Sequence, residues 1–190
     1  MLFNKKKQKC LKEIGLRVQL GHCSNDCCLE PSPLHKEFVV LHTTGINKVD
    51  VDACNCPECQ LWAGAPKEQL LHAGWFPVTD NRPRTCATTD MLNHFLAETY
   101  QSKTTLYDYY MALEKLTNNT GIKPPNRYYA FRHMVHKYAH ILMLKHAGRG
   151  HADFWVEGTQ QGKLAVQCIC CPQPGVNLPE GWEKAGPKYQ

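Results

Sequence analysis

Cys54-Asn55-Cys56, with Cys59 close behind, and Cys168-Ile169-Cys170-Cys171-Pro172 are the two stretches whose reading decides the fold of this chain. A strand places residues i and i+2 on one face, so Cys54 and Cys56 can aim both thiols the same way. Cys168 and Cys171 have the C-x-x-C spacing of a tight knuckle. Two such pairs supply the four sulfurs of a tetrahedral zinc site, each at roughly 2.3 Å from the ion. Cys56-Pro57-Glu58-Cys59 offers a competing first knuckle, with Cys59 in the place of Cys54.

Working outward, each pair follows a strand pattern. EFVVLH and INKVDVDA flank Thr43-Thr44-Gly45 as a hairpin whose second arm runs into Cys54. KLAVQC, residues 163–168, runs as a strand into the second pair. The expected fold is therefore α+β: a small zinc-ribbon-like sheet, built from the hairpin plus a C-terminal strand, with a largely helical insertion of three to four helices over residues 66–147. Residues 1–13 read as a flexible terminus, 14–182 as a single cysteine-cluster domain and 183–190 as a tail.

Composition agrees with a folded chain. Of 190 residues 43% are hydrophobic, enough for one core, and Lys plus Arg exceed Asp plus Glu by 22 − 17 = +5. That mild basic balance permits a nucleic-acid partner without requiring one. The eleven cysteines are an odd number, no apolar leader follows the first lysines, and no run reaches the length of a membrane span. An intracellular location with reduced thiols follows as the expectation, and clustered cysteines there hold metal more often than they pair.

The rest divides into short elements. IGLRVQLGH reads as a strand or extended arm, and Cys23 to Pro33 as loop. His22 and Cys28 are candidate ligands of the main site or of a second one, against a loop with unmetallated thiols. Asp50 and Asp52 alternate with Val49 and Val51, so they read as the solvent face of their strand. Pro66 opens a short helix that Gly74 stops, residues 79–88 read as loop, and residues 89–102 and 104–117 carry apolar residues at helical spacing. Leu106, Tyr109, Tyr110, Leu113 and Leu116 form the buried stripe of the latter. The aromatic residues there read as core, because a base-stacking platform needs exposed rings in a row.

Residues 126–147 form the longest helix, with Tyr128, Phe131, Val135, Tyr138 and Leu142 as its apolar stripe. Arg132, His136 and His140 lie four apart on another face, and Lys137, Lys145 and Arg149 add charge. These six are the candidate nucleic-acid surface, against an ordinary solvated face. His136 and His140 have the spacing of a zinc-protease helix, but no Glu follows the first His to act as base.

Taken in order, these strings resemble the CxC-type cysteine cluster domain associated with KDZ transposases. The matching stretches are IGLRVQLGH, Cys28-x-x-Pro31, FVV with TGI, Cys54-x-Cys56, QLLHAGWFPVT, RPRT, QSKTTLYDYY, LTNNTG, LKHAGRGH, Cys168-x-x-Cys171-Pro172 and NLPEGW. The resemblance implies a zinc-chelating module, found mainly in fungal genomes, that sits ahead of an RNase H-type catalytic core. Carried over, the implied ligands are Cys54, Cys56, Cys168 and Cys171, then Cys28 and His22. Cys10, Cys27, Cys59, Cys86 and Cys170 are extra to the pattern, and Asn47 stands where the family commonly has His.

The functional expectation is a zinc-binding accessory domain of such a transposase, or a truncated remnant. Its expected role is to assist DNA binding, with no catalytic core of its own and no membrane association. Its partners would be DNA and a transposase core or other protein, in the nucleus or elsewhere inside the cell. The alternative is a zinc-stabilised protein–protein module that does not bind DNA. A metalloenzyme is the weakest reading, since zinc held by four thiolates keeps no position open for water.

Overall fold

The computed structural model describes residues 11–21, 28–57, 64–118, 123–149, 156–162, 164, 170–173, 175–178 and 180–184. It divides into two compact units, Met1–Leu142 and Met143–Gln190. The described elements of the first unit are mixed sheets plus helices, an α+β fold.

One three-stranded sheet joins β1 (Arg17–Gln19), β2 (Pro31–Pro33) and β5 (Asp50–Cys54), with β5 in the middle. β1 runs parallel to β5 and β2 antiparallel to it. The hairpin is β3 (Val39–His42) and β4 (Gly45–Lys48), joined through Thr43 and Thr44. It belongs to a four-stranded sheet of order β4-β3-β7-β6, where β6 is Trp75–Pro77 and β7 is Thr85–Thr88. The expected long second arm of the hairpin is thus two strands, which part at Val49 and serve different sheets.

Strand β3 shows why its sequence is continuously apolar. Val39 and Leu41 face one core with the helices, while Val40, with Phe38 just before the strand, faces another that includes Val49, Val51, Leu70 and Cys86. A strand covered on both sides has no polar face to alternate. The same logic corrects the reading of residues 79–88 as loop. Thr85–Thr88 pairs in parallel with β3 and antiparallel with β6, as an interior strand. Its four residues carry no alternation, because Cys86 and Ala87 are buried on opposite faces. Burial raises the Cys86 thiol far above its usual range and keeps it protonated.

Asp52 is a second correction. It is 2% exposed rather than solvent-facing, and Arg17 Nη1 donates to its Oδ2 at 2.7 Å. Strand β1 pairs with β5 in the same sheet and brings Arg17 to Asp52, which the alternating pattern did not reveal. Asp50, the first residue of β5, meets Lys12 at 3.1 Å.

Among the described residues the α-helices are α1 (Pro66–His72), α2 (Thr89–Ser102), α3 (Leu106–Thr117) and α4 (Tyr128–His146). Thr88 and Thr105 cap α2 and α3, each accepting a backbone N–H of the first turn. Met91, Leu92 and Phe95 of α2, Tyr109, Tyr110 and Leu113 of α3, and Phe131, Met134 and Val135 of α4 close the helical core on the four-stranded sheet. Leu116, expected in the stripe of α3, is exposed. Gly45 has φ +135°, and a Cβ there would sit 2.6 Å from Thr117 Oγ1, so the hairpin touches the end of α3 only as glycine. The expected C-terminal strand at residues 163–168 falls mostly outside the described residues, and Leu164 is in a turn.

Helix α2 ends on Lys103 at φ 54°, in the left-handed region. A side chain there costs energy that glycine does not. Lys103→Gly is expected to raise stability by about 0.5–1 kcal/mol, read as a higher midpoint in urea with an unchanged slope. A lower midpoint would show that the lysine makes a contact outweighing its backbone strain.

Candidate metal centre

Three cysteine sulfurs converge at the end of the three-stranded sheet. β5 terminates on Cys54, and Cys56 lies two residues on. β2 pairs with β5 in antiparallel register, Pro31 opposite Cys54, so the turn before Pro31 brings Cys28 over the same end. The Asn55 amide donates to the Glu30 carbonyl at 3.1 Å and ties the two segments together.

The Sγ atoms of Cys28, Cys54 and Cys56 all lie within 4.8 Å of one another, and Cys28 and Cys56 are 3.3 Å apart. Tetrahedral zinc with thiolates at about 2.3 Å separates its sulfurs by about 3.8 Å, inside that spread. Cys54 and Cys56 are buried and Cys28 half-buried. The Cys28 thiol is pushed up to about 11, first by desolvation, then by thiol contacts with Cys56 and Cys54, while the Glu30 backbone amide opposes the shift. A thiol so crowded does not ionise beside its neighbours without a cation, and a bound divalent ion reverses that preference. The donor set is all sulfur, which suits a soft or borderline cation and not a hard, oxygen-seeking one.

The backbone of the site is held from a distance in sequence. Gln69 of α1 is fully buried. Its Oε1 accepts from the Cys54 amide at 2.8 Å, and its Nε2 donates to the Cys54 carbonyl at 2.9 Å and the Gly64 carbonyl at 3.0 Å. A buried glutamine with both ends engaged fixes where Cys54 points. Sequence reading missed it, because a single glutamine in a short helix looks like surface.

The other expected ligands are placed as follows. His22, Cys168 and the competing Cys59 lie outside the described residues. Cys171 is exposed and belongs to the second unit. There the Asn177 side chain accepts from the Gln173 amide and donates to the Cys171 carbonyl, at 2.7 and 2.9 Å, closing a turn that starts at the cysteine. Of the expected nucleic-acid residues, Arg132, His136, Lys137 and His140 are exposed on the part of α4 in the first unit. Lys145 is exposed and Arg149 half-buried in the second. Helix α4 carries no acidic residue.

Sheet-end cysteines braced by a buried amide define a cysteine-cluster domain. The family model for the CxC2-like cysteine cluster associated with KDZ transposases matches residues 11–121, and the chain belongs to that family. The matched span contains Cys28, Cys54 and Cys56 and stops before Cys168 and Cys171. No curated protein and no solved structure matches the chain. Among the described residues no helix is long and apolar enough to cross a membrane.

Proposed function

We propose that this chain is a zinc-stabilised accessory module of a KDZ-type transposase that holds DNA for a catalytic core carried on another fold. The observation that carries the reading is the convergence of Cys28, Cys54 and Cys56 within 4.8 Å, inside the span that matches the transposase-associated family. Zinc there supplies a crosslink between the end of β5 and the turn before β2. With a fourth protein ligand it keeps no position open for water, so its role is structural rather than hydrolytic. The fourth ligand is drawn from the candidates read in the sequence, of which His22 and Cys59 fall within the matched span.

The DNA contact belongs to α4. Arg132, His136 and His140 share one face, Lys137 is beside them, and nothing acidic on the helix opposes a phosphate backbone. Lys145 and Arg149 extend the charge. A nuclear site of action follows from the same reading.

Salt tests it. Each phosphate neutralised by Lys or Arg contributes about −0.9 to the slope of log affinity against log salt on duplex DNA. Removing Arg132 and Lys137 together, as alanines, is expected to flatten that slope by roughly 1–2 and to weaken binding of unrelated sequences alike. Absence of DNA binding at low salt, in a chain that retains its metal, would reject the DNA role and leave a protein–protein module.

A further inference from the structure

Three tyrosines adjoin one another where α3 and α4 begin. The Tyr128 ring meets Tyr107 at a centroid distance of 6.0 Å and Tyr129 at 5.9 Å. Both contacts are steep, at 78° and 65°, so the three rings do not close on one another as a stack. Tyr128 is seated against the core by Tyr110, 5.5 Å away, whose hydroxyl accepts the Arg127 amide at 2.7 Å. The other two rings face solvent: Tyr107 is 58% exposed and Tyr129 78%. The expectation that the aromatics of residues 104–117 are core is thus corrected for Tyr107, while Tyr129 lay outside the stripe expected of α4. Position 107 falls off the apolar stripe of its helix, and position 129 follows Tyr128 around to the outer face of α4.

Tyr129 is also the first member of the basic stripe. Positions 129, 132, 136 and 140 share one exposed face at helical spacing, so the rings run directly into Arg132, His136 and His140. The nearby acids on α3 are Asp108, whose carboxylate accepts the Thr105 hydroxyl at 2.6 Å, and the half-buried Glu114.

We infer that this surface binds unpaired nucleic acid, with bases stacked on Tyr107 and Tyr129 and the backbone led along the stripe from Arg132. The inference rests on the DNA reading above and specifies it. Exposed rings continuous with a cationic, acid-free helix face are complementary to a polyanion that presents free base faces. A duplex presents phosphates and groove edges but keeps its base faces stacked, so it engages the stripe and leaves the rings idle.

The test compares a fluorescent oligothymidylate, an abasic strand of equal length and a duplex, each titrated with the full chain at one salt concentration. Tyr107→Ala with Tyr129→Ala is expected to weaken oligothymidylate binding roughly ten- to a hundredfold, with duplex and abasic binding changed less than about twofold. Tyr107→Phe with Tyr129→Phe keeps the rings and is expected to bind as the wild type does. An unchanged melting curve for the alanine pair shows that folding is not the cause. Equal affinity of wild type and the alanine pair for oligothymidylate, or of wild type for the abasic strand and oligothymidylate, overturns the inference while duplex binding leaves the DNA reading standing. Failure to bind any of the three ligands overturns both, and points to a protein as the partner of these rings.

Discussion

Cys54→Ser combined with Cys56→Ser is expected to abolish metal binding and, with it, the cooperative thermal transition of the first unit. Structural zinc contributes about 10–16 kcal/mol of apparent free energy in small peptides, and a whole domain is stable by about 5–15 kcal/mol. Losing an ion of that worth leaves little margin. The three-stranded sheet is short and ends at the sulfurs: β1 and β2 are three residues each and the middle strand β5 is five. Circular dichroism on heating, paired with elemental analysis of the same sample, reads both effects. Cys86→Ala is the control, since Cys86 is buried in β7 and lies outside the sulfur cluster. It should cost packing energy and keep the metal. Metal retained at wild-type level in the double serine variant would remove Cys54 and Cys56 from the site. Protons compete for the same sulfurs, so metal affinity is expected to rise with pH while the crowded Cys28 thiol, up to about 11 without an ion, is still being deprotonated.

The second large effect is expected at Gln69. Gln69→Leu keeps the approximate bulk of the side chain and removes both polar ends. The Cys54 amide, the Cys54 carbonyl and the Gly64 carbonyl then lose the partner that Gln69 gave them. Each buried polar group that loses its partner costs about 1–3 kcal/mol, so a loss in that range is expected. Gln69→Glu retains the acceptor for the Cys54 amide but turns the donor toward two carbonyls into a second acceptor, and should also destabilise. Chemical denaturation measures the loss. A change below about 1 kcal/mol for the leucine variant would mean that the backbone at Cys54 is held by other means. Because Gln69 fixes the last residue of β5, metal affinity is expected to fall along with stability, which a simple packing defect far from the sulfurs would not cause.

Local pattern made some of this legible. The turn at Gly45, Pro66 at the first turn of α1, and the apolar spacing of α2 and α4 each announce themselves within a few residues, because caps, turns and helical faces are short-range physics. Cys54 and Cys56 were legible for the same reason. Cys28 was readable only as a candidate, since its nearness to the pair depends on the antiparallel pairing of β2 with β5. Asp52 and the strand Thr85–Thr88 were misread, and Gln69 was missed. Each looks polar or irregular locally and takes its place from something distant: Arg17 of β1 at Asp52, the Cys54 backbone around Gln69, and β3 and β6 on either side of β7. Tyr107 failed in the other direction, since an aromatic residue in a helix reads as core until its neighbours are known.

The most direct measurement is the zinc content of the purified full-length chain by elemental analysis, with the reactive thiols titrated before and after chelation. The account predicts one zinc per chain, with Cys28, Cys54 and Cys56 protected until the chelator is added and modified together afterwards. A chain that carries no metal while all three thiols react at once, or that links Cys28 to Cys56 as a disulfide in its native state, would contradict it.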